Sequence, residues 1–159
     1  MRDLAREFGL DHFPPIHRDL LFLLALLSGL IFWGALWGFF PDKGLAGPGF
    51  FSWSFFLLVV WRPFLEELFF RGAIQGQLYR LRWGSPSFLG VSIANGLTTV
   101  LFAFAHWFYQ SSPWIIGVIV PSMVFGFFRD RYSNIYPSFV LHSYYNAGFF
   151  FLAGLPTPH

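Results

Sequence analysis

The sequence contains no cysteine and little charge, and both shortages limit what the chain can be. Without a thiol it has no disulfide, no thiolate metal ligand and no cysteine nucleophile. Charged residues make up 11% of the chain, whereas soluble domains carry roughly a quarter. The net charge of +2 is too small to indicate a nucleic-acid partner. With 55% hydrophobic and 23% aromatic residues, the composition indicates a chain that lies in a lipid bilayer.

Long stretches without charge predict where the chain crosses the membrane. Residues 20–40 are uncharged, and this length crosses a hydrocarbon core of ~30 Å as a helix. The stretch is too long for the apolar region of a signal peptide and is followed by no small-residue cleavage motif, so we expect a retained anchor. Residues 1–19 are polar and include a Pro-Pro pair, and we expect them at the membrane surface.

The same pattern predicts further spans, although Pro63 can kink the first of them. These spans lie at 50–80, 86–108, 113–128 and 136–155. A loop is predicted over 41–49, a break at 110–113 and a tail at 156–159, because these stretches are rich in Pro, Gly or Ser. The fold class is therefore predicted to be all-α, a polytopic membrane bundle of about five transmembrane helices.

The distribution of basic residues predicts the orientation of this bundle. Seven arginines fall on the side of the N-terminus, and Lys43 falls alone on the other side. The seven are Arg2, Arg6, Arg18, Arg80, Arg82, Arg129 and Arg131. The positive-inside rule therefore places the N-terminus in the cytoplasm, and we expect a bacterial inner (plasma) membrane.

We expect one membrane domain over residues 1–159. It comprises the surface segment 1–19, an accessory helix at 20–40 and a four-helix catalytic core at 50–155.

Acidic and basic side chains inside one predicted span are the first candidates for function. An ionisable residue at the centre of a bilayer costs ~2.5–3.5 kcal/mol on insertion scales, so it is rarely present without a role. Glu67 and Arg71 are four residues apart and share a helical face in the favourable order. Glu66 lies about 100° around the helix from Glu67. Arg71 can therefore neutralise one carboxylate while the other stays free for chemistry.

Two later spans carry histidines that can complete a hydrolytic site. His106 follows the apolar residues Phe102 to Ala105. His142 shares a helical face with Asn146, which lies four residues further along the chain. A carboxylate and an imidazole can activate a water together. A second imidazole and an amide can donate hydrogen bonds to a developing oxyanion. At helical rise Glu66 and His106 lie ~27 and ~33 Å from the turn near residue 84, whereas His142 lies ~16 Å from the turn near residue 131 and fits less well.

Taken singly, each of these patterns also has a structural interpretation. Glu67 and Arg71 can form an ion pair that only holds a bundle together, and a lone His106 is more often a hydrogen-bonded core residue. His142 and Asn146 can cross-link helices through hydrogen bonds. The occurrence of all three patterns on successive spans favours a hydrolytic site.

These residues resemble the motifs of a known family of membrane proteases. Glu66-Glu67-x-x-x-Arg71, Phe102-x-x-x-His106 and His142-x-x-x-Asn146 follow one another on successive predicted spans, as in the CAAX-processing and bacteriocin-processing family. The members are intramembrane glutamic endopeptidases, also called type II CAAX prenyl endopeptidases. The resemblance covers about residues 60–150, and Gly72 after the arginine also fits the family.

The resemblance implies a role for each motif residue. Glu66 and His106 would activate the attacking water, and His142 and Asn146 would stabilise the tetrahedral oxyanion. Glu67 and Arg71 would orient and support this site, as would Phe102 of the second motif.

The resemblance also implies the reaction and its substrate. The enzyme would need no cofactor and no metal, and it would hydrolyse a peptide bond of a membrane-associated protein or peptide. Processing of a C-terminal signal or a leader is the expected reaction, and prenylated substrates are less expected, because the chain is shorter than many relatives.

Two alternatives remain open from the sequence. Glu66, His106 and His142 could instead be ligands of a zinc peptidase, although no His-Glu-x-x-His helix is present. A bundle with buried Glu, Arg and His could also be a proton-coupled transporter, or a membrane immunity protein that only binds its partner.

Overall fold

A computed structural model describes residues 2–39, 52–110 and 116–155, and these parts of the chain are mostly helical. The elements in chain order are α1 (Arg2–Glu7), a 3-10 turn (Ile16–Arg18), α2 (Leu20–Phe39), α3 (53–80), β1 (Ser87–Phe88), β2 (Val91–Ser92), α4 (Ile93–Gln110), α5 (Ile116–Tyr132) and α6 (Tyr136–Ala153). The prediction of a mostly helical, all-α fold is confirmed, with one two-stranded hairpin added to it.

Within the described ranges, none of the helices combines enough length and apolar character to cross a membrane. The five-span topology therefore stays a prediction. The predicted loop at 41–49, the predicted break from residue 111 to 113 and the tail at 156–159 lie outside the described residues.

Helix α3 is continuous but irregular, and Pro63 accounts for part of the irregularity. Its α-helical parts, Trp53–Phe56, Arg62–Glu67 and Gly76–Arg80, alternate with π-helical parts at Leu57–Trp61 and Leu68–Gln75. Proline has no N–H and its ring crowds the carbonyl of the preceding turn, which a regular α-helix does not accommodate. The π-turn before Pro63 widens the helix, as the backbone bond from Arg62 N–H to Leu57 O shows.

Helix α2 packs against α6 where small residues let the two backbones approach. A Cβ atom at Gly148 would overlap the Trp33 ring, and one at Gly29 would press on Tyr144 and Tyr145. The Tyr145 hydroxyl also donates to the Ala25 carbonyl at 2.8 Å. A buried apolar cluster also joins α2, α5 and α6. It comprises Ile16, just before α2, with Phe22, Phe125, Phe128 and Leu141. This packing fixes α6, which carries His142.

The N-terminal segment packs against one end of the bundle. Gly9 has a φ of +70°, a conformation that glycine adopts readily, and its carbonyl accepts the Ile135 N–H at 3.0 Å. The Asn134 amide donates to the His12 carbonyl at 2.6 Å, and Asp19 accepts from Arg131 at 2.6 Å. These contacts attach residues 2–19 to the α5–α6 connection.

The hairpin shifts the start of α4 away from the predicted boundary. The span was expected to begin at residue 86, whereas the structure forms a tight hairpin first and begins the helix at Ile93. Leu89 and Gly90 both have positive φ at the hairpin turn. Two backbone bonds, from Ile93 to Pro86 O and from Ala94 to Gly84 O, both 3.0 Å, then cap the new helix start.

Candidate active site

Three helices bring polar side chains together beside one carboxylate oxygen. Oε2 of Glu66, on α3, lies 3.6 Å from Nε2 of His142 on α6. The same oxygen lies 4.0 Å from Nε2 of His106 on α4. The side chains of Glu66 and His106 remain 31% and 20% exposed. The group is therefore reachable from outside, and both imidazoles face the same acid.

Hydrogen bonds at the other ring nitrogens orient both histidines. Nδ1 of His106 lies 3.0 Å from the Phe102 carbonyl one turn earlier, and a carbonyl oxygen can only accept. Nδ1 of His142 lies 2.9 Å from Oε1 of Glu67, which is next to Arg71 and accepts as a carboxylate. Both Nδ1 atoms therefore carry a proton in this arrangement, and both Nε2 atoms are directed towards Glu66.

Glu67 and Arg71 form a buried ion pair behind the histidine. Arg71 Nε lies 3.3 Å from Glu67 Oε2, and both side chains are 0% exposed. Within the described part of the chain, neither of these two atoms has a well-aligned hydrogen-bond partner. The guanidinium instead directs its terminal nitrogens to Ser122 Oγ at 2.7 Å and to Gln75 Oε1 at 3.3 Å. The charges of Glu67 and Arg71 compensate each other, while other residues hold the guanidinium in place.

Aromatic rings enclose the polar group on its protein side. Phe102 is buried, its ring centroid is 4.2 Å from that of His106, and it packs edge-on against Phe70 at 5.1 Å. The Arg71 guanidinium carbon lies 5.5 Å from the centre of the Phe102 ring, which permits a cation–π contact. Phe125 stacks on His142 with 4.9 Å between centroids. The histidines are thus held by packing as well as by hydrogen bonds.

Asn146 lies one helical turn beyond His142 and binds the backbone of α3. Its Nδ2 donates to the Leu58 carbonyl at 3.1 Å. In the π-turn, the fifth residue after Leu58 is Pro63, which has no N–H to donate. Asn146 therefore satisfies an acceptor that the proline leaves open. This contact uses one of the two amide hydrogens of Asn146.

The structure thus gathers six of the seven residues singled out in the sequence into one connected group. These are Glu66, Glu67, Arg71, Phe102, His106 and His142. Asn146 is placed differently, since its described contact is with the Leu58 carbonyl.

Buried polar residues behind Arg71 were not singled out from the sequence. Ser122 donates to Thr99 at 3.1 Å, and Thr99 donates to Asn95 at 3.3 Å. Gln75 donates to Asp130 at 2.8 Å and also to the Gly126 carbonyl at 2.8 Å. The signal that could have found Gln75 is its spacing, because it continues the helical face of Glu67 and Arg71 by one more turn.

Asp130 closes this network at the end of α5. It accepts from Ser92 at 2.5 Å and from Gln75. Burial raises the pKa of Asp130 above its ordinary value, although the hydrogen bonds from Ser92 and Gln75 lower it in part. Its neighbour Arg129 donates to the Arg71 carbonyl at 3.1 Å. The backbone and side chain of Arg71 are therefore both contacted from α5.

The described residues contain no group of three or more His, Asp or Glu side chains arranged to hold a metal ion.

The chain matches the family described as type II CAAX prenyl endopeptidase Rce1-like over residues 48–148. This match covers more than half of the chain and includes all seven residues singled out in the sequence, so the chain belongs to this family. The family supports a protease, and hence a hydrolase, as the biochemical class. No curated protein and no solved structure showed significant similarity to the chain.

Proposed function

We propose that this chain is an intramembrane endopeptidase of the glutamic type, which hydrolyses a peptide bond with a water activated by Glu66 and His106. The observation that carries the proposal is the convergence of two imidazole nitrogens, from α4 and α6, on one oxygen of Glu66. An ion pair that only stabilised a bundle would need neither histidine. Partial exposure of Glu66 and His106 supplies the access that a reaction requires.

The gap between Glu66 and His106 suits a bridging water. At 4.0 Å the two atoms are too far apart for a direct hydrogen bond, and a water can contact both. Because the Phe102 carbonyl holds the Nδ1 proton, Nε2 of His106 presents a lone pair. The carboxylate and this lone pair can both accept a proton as the water attacks.

The opposite side of the site can stabilise the oxyanion. When it carries a proton, Nε2 of His142 can donate to the oxygen of the tetrahedral intermediate, and Asn146 has an amide hydrogen left for the same atom. Glu67 fixes the ring from behind through Nδ1, and Arg71 offsets the charge of Glu67. These residues support the site without contacting the reacting atoms.

The bonds and protons balance without a cofactor. The water oxygen bonds to the peptide carbonyl carbon, and Glu66 or His106 takes the water proton. The tetrahedral intermediate then collapses, the C–N bond breaks, and the same group returns the proton to the departing amine. The products are an amine and a carboxylic acid, which then gives its proton to the amine or to solvent.

The substrate is proposed to be a membrane-associated protein or peptide, cut at a C-terminal signal or a leader. The family implies a membrane-associated substrate, and the surface of α2 supports a lipid environment for this chain. Large apolar side chains remain exposed along the helix, at Leu20, Leu23, Leu24, Leu27, Leu30, Ile31 and Phe32. An apolar surface of this extent on a monomer marks contact with lipid or with another protein. We propose a membrane-embedded bundle with its N-terminus in the cytoplasm.

The test is co-expression of candidate membrane-anchored substrates with the wild type and with Glu66→Gln, followed by mapping of new termini by mass spectrometry. We expect new termini with the wild type and none with Glu66→Gln. Glu7→Gln is the matched control, because the Glu7 carboxylate pairs with Arg80 and both side chains are exposed. Cleavage by Glu66→Gln at the wild-type rate would refute the proposal. Cleavage that is lost in strong chelator would favour a zinc peptidase instead.

A further inference from the structure

The position of the Arg71 guanidinium is set by residues other than its ionic partner. Its terminal nitrogens bind Ser122 at 2.7 Å and Gln75 at 3.3 Å. The contact with Glu67 is a close approach of charges, without hydrogen-bond alignment at Nε. Coulomb attraction depends little on direction, whereas hydrogen bonds depend strongly on it. Ser122 and Gln75 therefore decide where the positive charge lies relative to Glu67.

The hydrogen bonds behind Ser122 run in one direction. Ser122 gives its own proton to Thr99, so its oxygen is free to accept from Arg71. Thr99 gives its proton to Asn95 Oδ1, and the Asn95 amide is oriented by its bond to the Met123 carbonyl at 2.9 Å. Each proton in this chain has one acceptor. Ser122 consequently presents a lone pair, not a proton, to the guanidinium.

The orientation of Gln75 is determined in the same way. Its amide nitrogen, Nε2, donates to the Gly126 carbonyl, which can only accept, and to the Asp130 carboxylate. The other end of the amide, Oε1, must therefore face Arg71. Asp130 thus acts on the site through Gln75, and Ser92 holds Asp130 from the opposite side.

We infer that Ser122 and Gln75 are positioning residues for the hydrolytic reaction: they hold Arg71 against Glu67, and Glu67 in turn fixes the ring of His142. This inference rests on the proposed function. The line of contacts is continuous, since His142 Nδ1 to Glu67 is 2.9 Å and Glu67 to Arg71 is 3.3 Å. Asp130 belongs to the same set, because it orients Gln75.

The test compares Ser122→Ala with Ser122→Thr, which keeps the hydroxyl, in the full-length chain. The matched control is Thr98→Val on the neighbouring helix α4, because Thr98 is buried like Ser122 and its hydroxyl has no hydrogen-bond partner among the described residues. We expect Ser122→Ala to lower kcat about tenfold while KM changes less than about twofold, the low end of the loss seen when residues that orient metal-binding histidines are replaced. We expect kcat and KM of Ser122→Thr and of Thr98→Val to stay close to the wild-type values.

Coupling to Glu67 separates positioning from general stability. In a Glu67→Gln background we expect Ser122→Ala to lower kcat less than about twofold further, because both residues act along one line of contacts. Two independent, additive losses would overturn the inference. So would a drop in kcat of the same size for Thr98→Val.

A second measurement does not depend on cleavage. In detergent-solubilised protein with 15N-labelled histidine, the Nδ1–H signal of His142 can be identified by its loss in His142→Gln. We expect this signal to shift in Ser122→Ala and in Gln75→Leu and to stay unchanged in Thr98→Val. An unchanged signal in both network variants would overturn the inference. If the wild type cleaves no substrate, the proposed function fails, and this spectrum alone decides whether the network positions His142.

Discussion

The two adjacent glutamates of α3 lie in different environments, and the difference separates chemistry from support. Glu66 is 31% exposed and faces two imidazole nitrogens at 3.6 and 4.0 Å. Glu67 is 0% exposed and lies between His142 and the equally buried Arg71. One carboxylate can therefore reach a water and a substrate. The other can act only through protein groups.

The surroundings of the two glutamates also differ in how their polar atoms are held. Behind Glu67, helices α3, α5 and α4 contribute side chains that bind one another, from Arg71 through Ser122 to Thr99. The Glu66 carboxylate instead lies 3.6 Å from Nε2 of His142 and 4.0 Å from Nε2 of His106, and both distances are longer than a hydrogen bond. Hydrogen-bonded support behind groups that retain access is the arrangement that the proposed hydrolysis requires.

The largest expected effects come from replacing each glutamate separately. Glu66→Gln should lower turnover by roughly 10²–10⁴-fold, the range for loss of a general base, and should change the free energy of unfolding by less than about 0.5 kcal/mol. Glu67→Gln should lower the free energy of unfolding by about 3–5 kcal/mol, because it leaves the Arg71 charge buried and unpaired. Turnover and denaturant unfolding in detergent measure both quantities.

A reversed pattern would contradict this division. If Glu66→Gln unfolded the chain and Glu67→Gln left its stability unchanged, the exposed carboxylate would be the structural one. Double replacement of Glu67 and Arg71 by apolar residues should recover part of the lost stability, because it removes both buried charges together.

An intermediate effect is expected at Asn146, whose side chain binds the backbone of α3. Asn146→Ala should cost about 1–3 kcal/mol of unfolding free energy, because the Leu58 carbonyl loses its donor. Adding Pro63→Ala restores an N–H that can donate to this carbonyl through the π-turn. The double variant should therefore regain stability, as thermal or denaturant unfolding would measure, and should not regain turnover.

Recovery of turnover along with stability would show that Asn146 serves the helix and not the oxyanion. No recovery of stability would mean that the Leu58 carbonyl is not the group that Asn146 satisfies.

The smallest effect is expected far from the site, at the contact between the N-terminal segment and α5. Burial alone would raise the pKa of Asp19, but hydrogen bonds from Tyr132 and Arg131 outweigh it and hold the pKa below 3.8. A lowered pKa stabilises the fold above pH 3.8, and this contribution is lost as the pH falls through the folded value. Asp19→Asn should cost about 1 kcal/mol near neutral pH.

Unfolding experiments at several pH values test this expectation. The difference in unfolding free energy between Asp19→Asn and the wild type should shrink below pH 3.8. A difference that stays constant down to acid pH would show that the charge of Asp19 is not involved. Turnover should be unchanged in this variant throughout.

Much of the helical architecture could be predicted from the sequence, since long apolar runs and glycine- or proline-rich breaks are local signals. The ends of the elements were less predictable. The hairpin before Ile93 forms because Leu89 and Gly90 take positive φ, and the neighbouring backbone groups cap the helix. The docking of Gly9 on Asn134 depends on a contact between residues more than a hundred positions apart, which no local pattern encodes.

The sequence by itself predicted which residues could carry chemistry, because acids, bases and imidazoles in an apolar chain are costly and stand out against it. Helical spacing also paired Glu67 with Arg71 in advance. Only the tertiary structure decided that both imidazoles face the same oxygen of Glu66. It also decided that Asn146 binds the carbonyl left open by Pro63. The contacts of Ser122 and Gln75 with Arg71 likewise appear only in the folded chain. Those choices depend on distances between helices, which are set by packing across the bundle and are absent from the local order of residues.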